Sequence, residues 1–326
     1  MGGIRRRAAI ICALIAGIAA ARAESYPERP IHLVVAFVPG GATDTFTRQI
    51  QQDLSEALGQ QVVVENRPGA SGYLAWNYVA KAEPDGYTLL MAENALAISQ
   101  GLFKKAASTF DPVQQYDPVA LLATSPLALV VANKVPANTV AELVALSHTV
   151  SQKMNYASAG VGSVAHLTFE VFRDAAGIEA IHIPYKGGGQ AIGDIIAGQV
   201  EMHMASIQVA APLAKADKIK ALAVTSKARS PALPEVPTLA EAGVKTADVD
   251  LSFWYAIFGP KGMPEALRSK LETAAKTVMM SARVRERLAK LDIEPIYAPG
   301  DVLEAKLQSE IRNWTRFIDD KGIKAE

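Results

Sequence analysis

Residues 31–38, IHLVVAFV, form an unbroken apolar run that stops at Pro39, Gly40 and Gly41. A run of this kind, ended by glycine, predicts a strand buried on both faces, the setting of a parallel sheet. The next residues, TDTFTRQIQQDLSEALG (43–59), place Phe46, Ile50, Leu54, Ala57 and Leu58 on one helical stripe that ends at Gly59. QVVVEN (61–66) reads as a second strand, RPGASG as a turn, YLAWNYVAKAE as a second helix and DGYTLLMAE (85–93) as a third strand. The order β-α-β-α-β predicts a doubly wound α/β lobe.

A second unit of the same kind follows. PLALVVAN (126–133), MNYASAG (154–160), EAIHIPY, VEMHMASI and KIKALAVTS (218–226) read as strands. TVAELVALSHTV, SVAHLTFEVFRDAAG (163–177) and GGQAIGDIIAGQ read as the helices between them. The tail holds a strand at FWYAIFGP, then helices from Pro264 to about Met280, near 282–291, and from about Pro299 to Lys321. The length of 326 residues accommodates two lobes, and half the residues are hydrophobic, enough for a large core. No repeat of fixed period and no low-complexity segment appears.

The N-terminus has the layout of a cleavable secretory signal. A basic MGGIRRR precedes the 13-residue apolar stretch AAIICALIAGIAA, and ARA then supplies small residues before Glu24. Cleavage is expected near Ala23, with the periplasm as destination. The leader of 1–23 carries Arg5, Arg6, Arg7 and Arg22 and no acid, so the mature chain keeps 29 of 33 basic residues against 33 acids. The only cysteine, Cys12, leaves with it. The mature protein therefore has no thiol for a disulfide, a zinc–thiolate site or a nucleophile. No basic run outside the leader suggests nucleic acid as a partner.

The glycines at 40–41 stand where a buried strand hands over to a helix. The first N–H groups of a helix lack intrahelical partners, and the helix dipole adds partial positive charge there. Glycine lets a ligand approach that backbone closely, so such a turn can hold an anion without lysine or arginine. An ordinary tight βα turn would use the same glycines. Thr43 or Asp44 could cap the helix or face a ligand. A second loop of this type, YASAGVGSVAHL (156–167), puts Gly160, Gly162 and Ser163 ahead of another helix. It lacks the third glycine of a dinucleotide fingerprint. KGGGQA lacks the ending of a phosphate loop, and no G-x-S-x-G elbow surrounds Ser163. Two glycine-rich helix starts, one per lobe, suit the two jaws of a cleft. Among the histidines, His32, His182 and His203 fall in strands and read as structural, and His148 as a helix-surface residue. His166, three residues after Ser163, is the candidate for the site. No histidine pair has metal spacing and no carboxylate pair stands out.

Several stretches carry a family resemblance: YPERPIHLVVAFVPGGATD, GQQVVVENRPGASG, KAEPDGYTLLM, SAGVGSVAHL, IHIPYKGGGQAIGDIIAGQVEM and KALAVTSKARSPALPEVPTLAEAG. In order and over nearly the whole mature chain, they resemble the Bug-type solute receptors of tripartite tricarboxylate transporters. The resemblance implies a type II-like periplasmic-binding-protein fold, with two doubly wound sheets joined by a hinge. Lobe 1 would comprise 24–124 plus 226–326 and lobe 2 would comprise 125–225, with the crossings near Thr124 and Thr225. It implies a small organic acid as ligand, a membrane permease as partner, a monomer, no cofactor, no metal and no catalysis. Its first binding loop corresponds to Pro39, Gly40, Gly41, Ala42, Thr43 and Asp44. Its second corresponds to Ser158, Gly160, Gly162 and Ser163, with His166 behind. Relatives often carry an Asp-Asn pair where this chain has Ala205 and Ser206, which weakens the case for an amino-group ligand. Glu93 and Asn94 replace a small, hydroxyl-rich stretch and are expected to tune specificity. Glu93 beside an anion would be costly unless bonded or turned away. Asp217 stands at a turn where glycine is common. Two other classes remain: a ligand sensor for a membrane signalling partner, and a secreted α/β hydrolase, which would need Ser163 and His166 as a nucleophile–base pair.

Overall fold

The computed structural model describes residues 26–149, 153–246 and 249–325, so the leader lies outside the described residues. Strand β1 (Ile31–Val35) pairs in parallel with β2 (Val62–Asn66) on one side and β3 (Thr88–Ala92) on the other, Leu33 facing Val64 and Leu89. Alternate residues of β1 enter two different cores. Ile31, Leu33 and Val35 pack with Phe46, Ile50 and Leu54 of α1 (Ala42–Leu58). Val34 and Ala36 pack with Trp76 and Val79 of α2 (Tyr73–Ala80). Helices on both faces explain why the apolar run is continuous rather than alternating.

After β3 the chain forms α3 (Ala95–Leu102) and β4 (Tyr116–Ser125). With only Pro126 between, it enters a second sheet at β5 (Leu127–Ala132). There follow α4 (Val140–Thr149), β6 (Met154–Ser158), α5 (Val164–Ala176), β7 (Ala180–Pro184), α6 (Gly188–Ile196), β8 (Met202–Ser206), α7 (Ile207–Lys215) and β9 (Ile219–Val224). The chain then returns to the first sheet through β10 (Phe253–Pro260). It ends with α8 (Glu265–Met280), α9 (Ala282–Ala289), β11 (Glu294–Pro299) and α10 (Gly300–Lys321). The sheet orders are β11-β4-β10-β3-β1-β2 and β7-β6-β8-β5-β9.

The two α/β sheets agree with the sequence reading, but both are mixed rather than parallel. β10 runs antiparallel to β3 and β4, and β5 runs antiparallel to β8 and β9. An apolar run buried on both faces reads the same whichever way its neighbours run, so the pattern carries no direction. β4, β11, α3 and α7 are not among the sequence-derived elements. Proline lies inside β4 (Pro118) and α7 (Pro212), which breaks their periodicity. Asp217 does occupy a glycine-like turn, with φ +53°.

The C-terminal helix α10 closes the first unit against α3. Gly101 is what permits this approach, because a Cβ there would lie 2.7 Å from the Thr315 Cα. Gly101→Val is expected to lower stability by about 1–3 kcal/mol through overpacking, read as a lower denaturant midpoint. An unchanged midpoint would show that α10 does not need this approach.

Candidate functional site

Where β1 ends, Gly40 takes φ +81° and Gly41 sits at the N-cap of α1 with no side-chain cap. Asp44, in the first turn, reaches back instead. Its Oδ2 accepts from the Gly40 N–H at 2.9 Å and its Oδ1 from Asn66 Nδ2 at 3.0 Å, and Arg48 pairs with it at 3.0 Å. Burial opposes the charge of Asp44, but these hydrogen bonds and the guanidinium hold its carboxyl below the usual range. With the carboxylate so used, the N–H groups of Gly41, Ala42 and Thr43 have no partner among the described residues.

Where β6 ends, Ser163 caps α5. Its Oγ donates to the Gly160 carbonyl at 2.7 Å and accepts from the His166 N–H at 3.3 Å. His166 Nδ1 accepts from the Gly162 N–H at 3.2 Å. The Ser163 proton is therefore directed at a carbonyl and not at the imidazole, so the two do not form a nucleophile–base pair. The His166 ring stacks on His182 at 4.0 Å, and Tyr156 stacks on Phe169 at 3.9 Å. Ser158 Oγ and His182 Nε2 lie 2.6 Å apart. Burial pushes His166 down to about 3 and His182 down to about 4, so both rings are neutral at ordinary pH.

A cavity of about 80 Å³ lies between the two sheets. It offers space for roughly five waters at ~15 Å³ each, the scale of a small organic acid. Four helices begin on its wall: α1 at Gly41, Ala42 and Thr43; α5 at Ser163, Val164 and Ala165; α6 at Gly187 and Gly188; and α7 at Ser206. No lysine or arginine is among the lining residues, and Phe37, Val38, Leu127, Met204 and Phe253 make the rest of the wall largely apolar. The two units approach each other closely at two points, the first of them on the cavity wall. A Cβ on Gly187 would lie 2.4 Å from Val38 Cγ2, and one on Gly162 would lie 2.7 Å from Phe103 Cε2.

Two buried titratable groups line the same cavity. Burial raises Glu93 to about 8, against the Ala95 N–H that bonds its Oε2 at 2.9 Å and with the charge of Glu310 adding to the rise. Burial lowers His203 to about 4, and its Nδ1 lies 2.8 Å from the Ala157 carbonyl. At neutral pH both are uncharged, so the desolvated wall holds no fixed side-chain charge.

The family model described as the tripartite tricarboxylate transporter family receptor matches residues 46–323. The chain belongs to this receptor family. An Agrobacterium vitis protein from the ttuE–ttuC′ intergenic region is 35% identical over 318 residues, which is 97% of this chain and 91% of that one. The periplasmic binding protein BugD superposes with a TM-score of 0.86 at 31% identity, over 92% of this receptor and 100% of that chain. An R. palustris protein solved with adipate gives a TM-score of 0.86 at 31% identity, over 92% and 99% of the two chains.

Of the receptor residues singled out in the sequence, Gly41, Ala42, Thr43, Glu93, Ser163 and Ser206 line the cavity. Pro39, Gly40, Ser158, Gly160, Gly162, His166 and Ala205 are not in its lining, and Pro39 and Gly40 are exposed. Asp44 faces Gly40, Arg48 and Asn66 as described. Asn94 is turned into the core: its Nδ2 donates to the Ser252 carbonyl at 3.0 Å and its Oδ1 accepts from the Trp254 N–H at 3.0 Å. Its place at the start of α3, hidden from sequence, sets that direction. The α6 start at Gly187 and Gly188 and the ring of His203 were not anticipated as site residues. The triple glycine at 187–189 was their visible signal, and His203 had none.

His166 and His203, which are buried, and His182, which is half-buried, have folded values below the free imidazole value of about 6.5. Each therefore adds stability that is fully present above about 6.5 and is lost as pH falls toward its folded value. Histidine NMR titration is expected to show the rings of His166, His182 and His203 still neutral at about pH 5.5. Protonation of any of them at that pH would contradict the burial described here.

Proposed function

We propose that this receptor captures a small organic acid in the cavity between its two sheets and presents it to a membrane permease. The observation that carries this reading is the convergence of four helix N-termini on one cavity with no lysine or arginine in its lining. Unpartnered N–H groups and aligned dipoles favour an anion there. The adipate held by a relative of the same fold supports a carboxylate. In this reading the N–H groups at Gly41–Thr43 and Val164–Ala165 grip the ligand carboxylate, helped by the hydroxyls of Thr43, Ser163 and Ser206. Pro39, Gly40, Asp44, Ser158, Gly160, Gly162 and His166 hold those loops in shape, and no covalent chemistry is involved.

The periplasm is the proposed site of action, supported by the leader-like residues 1–23 and by the periplasmic relative. The two lobes, 24–124 with 226–326 and 125–225, would close about the crossings near Thr124 and Thr225. Supporting this, Thr225 Oγ1 accepts from the Leu127 N–H at 2.9 Å, and Gln208 Nε2 donates to Tyr255 Oη at 2.6 Å beside the crossings.

A thermal-shift series with the mature chain, 24–326, should raise the melting temperature for a carboxylate and not for its neutral amide. Ligand at a hundredfold excess over Kd adds about 2.7 kcal/mol. Equal shifts with acid and amide would overturn the anion reading. Gly187→Ala sets a methyl against Val38 at a position whose backbone, φ 176°, any residue adopts. It is expected to prop the cavity open and weaken ligand binding at least about tenfold, a penalty on the scale of overpacking, with the unliganded melting temperature little changed. Unaltered affinity would show that closure at Val38 is not needed.

A further inference from the structure

Glu93 stands in the cavity wall as a carboxyl without a counter-charge. It is 5% exposed, and the lining contains no lysine or arginine. Its Oε2 accepts from the Ala95 N–H at 2.9 Å. Its Oε1 has no hydrogen-bond partner among the described residues and is not sealed off from the cavity. Glu310 of α10, whose charge is felt at Glu93, is better supplied. Its Oε1 pairs with Lys306 at 2.7 Å, and its Oε2 accepts from Trp254 Nε1 at 2.9 Å and from Asn94 Nδ2 at 3.3 Å. Of these two coupled carboxyls, Glu310 is the one equipped to stay ionised and Glu93 the one that takes a proton.

The receptor reading brings an anion into the same desolvated space. With about 80 Å³ available, a bound carboxylate and Glu93 share one small site. Two carboxylates in one site do not both stay ionised, because repulsion raises the pKa of one of them. The ligand carboxylate has the helix N-termini to keep it charged, whereas Glu93 has a single N–H. The proton belongs on Glu93 Oε1, the oxygen that no protein donor occupies. Resting on that reading, we propose that capture of the organic anion is coupled to uptake of one proton from solvent by Glu93, so that the filled cavity holds an anion beside a neutral acid.

In the empty receptor, burial already lifts Glu93 to about 8. Below that value Glu93 is neutral before the anion arrives, and capture takes up little further proton. Above it the anion must draw a proton in, and affinity falls as pH rises. The other titratable groups around Glu93 do not change charge in this window. His203 of β8, pushed down to about 4, stays neutral, and burial holds Tyr255 of β10 well above its usual range. Lys306 is raised and Asp250, paired with it at 2.8 Å, is lowered, so both stay charged. Asp44 of α1 is likewise held ionised beside Arg48. Glu310 is shared by wild type and Glu93→Gln, so their comparison removes its contribution.

The test is calorimetric titration of the mature receptor with acetate, succinate, adipate and benzoate, in buffers of differing ionisation enthalpy. For whichever acid binds, uptake is expected to be near zero at about pH 6 and near one proton per bound anion at about pH 9, with Kd about tenfold higher at the alkaline end. Glu93→Gln keeps an acceptor for the Ala95 N–H and is neutral throughout. Its uptake should be near zero at both ends, and its Kd should be the same at both. Uptake near zero in the wild type at alkaline pH, or uptake that persists in Glu93→Gln, would overturn the coupling and leave the receptor reading intact. Binding by none of these acids would overturn both. If Glu93→Gln does not fold or does not bind, infrared difference spectra of the wild type decide. A carboxylic-acid carbonyl band that grows as the anion is added at alkaline pH supports the coupling, and unchanged carboxyl absorption contradicts it.

Discussion

Helix starts without partners are what the rest of this molecule is arranged around. The N–H groups of Gly41, Ala42 and Thr43 cannot be satisfied inside α1, and Asp44, the one acid in that turn, is spent on Gly40, Asn66 and Arg48. Three more helices start around the same cavity, α5 with Ser163 as its cap and α6 and α7 with no side-chain cap. A buried N–H without an acceptor is costly, so the cavity wall is a set of unmet demands for an anion or water. The doubly wound sheets deliver this arrangement. Strands β1, β6 and β8 each end at the cavity, and the helix that follows each begins there.

Removing water raises the stakes for every polar group nearby. Desolvation neutralises Glu93 and His203 in the wall, and His166 and His182 behind it. These groups then act by hydrogen bonding alone. His166 receives the Gly162 N–H and so fixes the loop that Ser163 caps. His182 holds Ser158 at the end of β6, in a stack that includes Tyr156 and Phe169. A charged residue in any of these places would either compete with the ligand's charge or neutralise the helix ends.

Closure of the wall depends on residues with no side chain. Val38 and Phe103, both from the first sheet's unit, fit over Gly187 and Gly162 of the second. Farther out, Lys321 of α10 meets Asp174 of α5 at 2.9 Å. That pair is exposed on both sides and contributes little. Shape at the glycines, rather than charge at the rim, is what brings the two units together.

Much of this was legible in the chain itself. The run at 31–38, the glycines after it, the stripe of α1 and the matching pattern at 154–177 are local signals, and they specified an α/β fold with glycine-rich helix starts. Asp217 likewise announced a turn that its positive φ bears out. Strand direction was not legible, since burial on both faces leaves the same apolar pattern in β10 as in β1. Nor were the roles of Asn94, Asp44 and His203. Each is a polar residue whose meaning depends on what lies opposite: Ser252 and Trp254 for the first, Asn66 for the second, the Ala157 carbonyl for the third. Sequence determines where a helix starts without a cap, because capping is a matter of adjacent residues. Only the tertiary structure decides that three such starts share one cavity with the Ser163-capped start of α5 and that a glutamate among them is uncharged, because both follow from long-range packing and the exclusion of water.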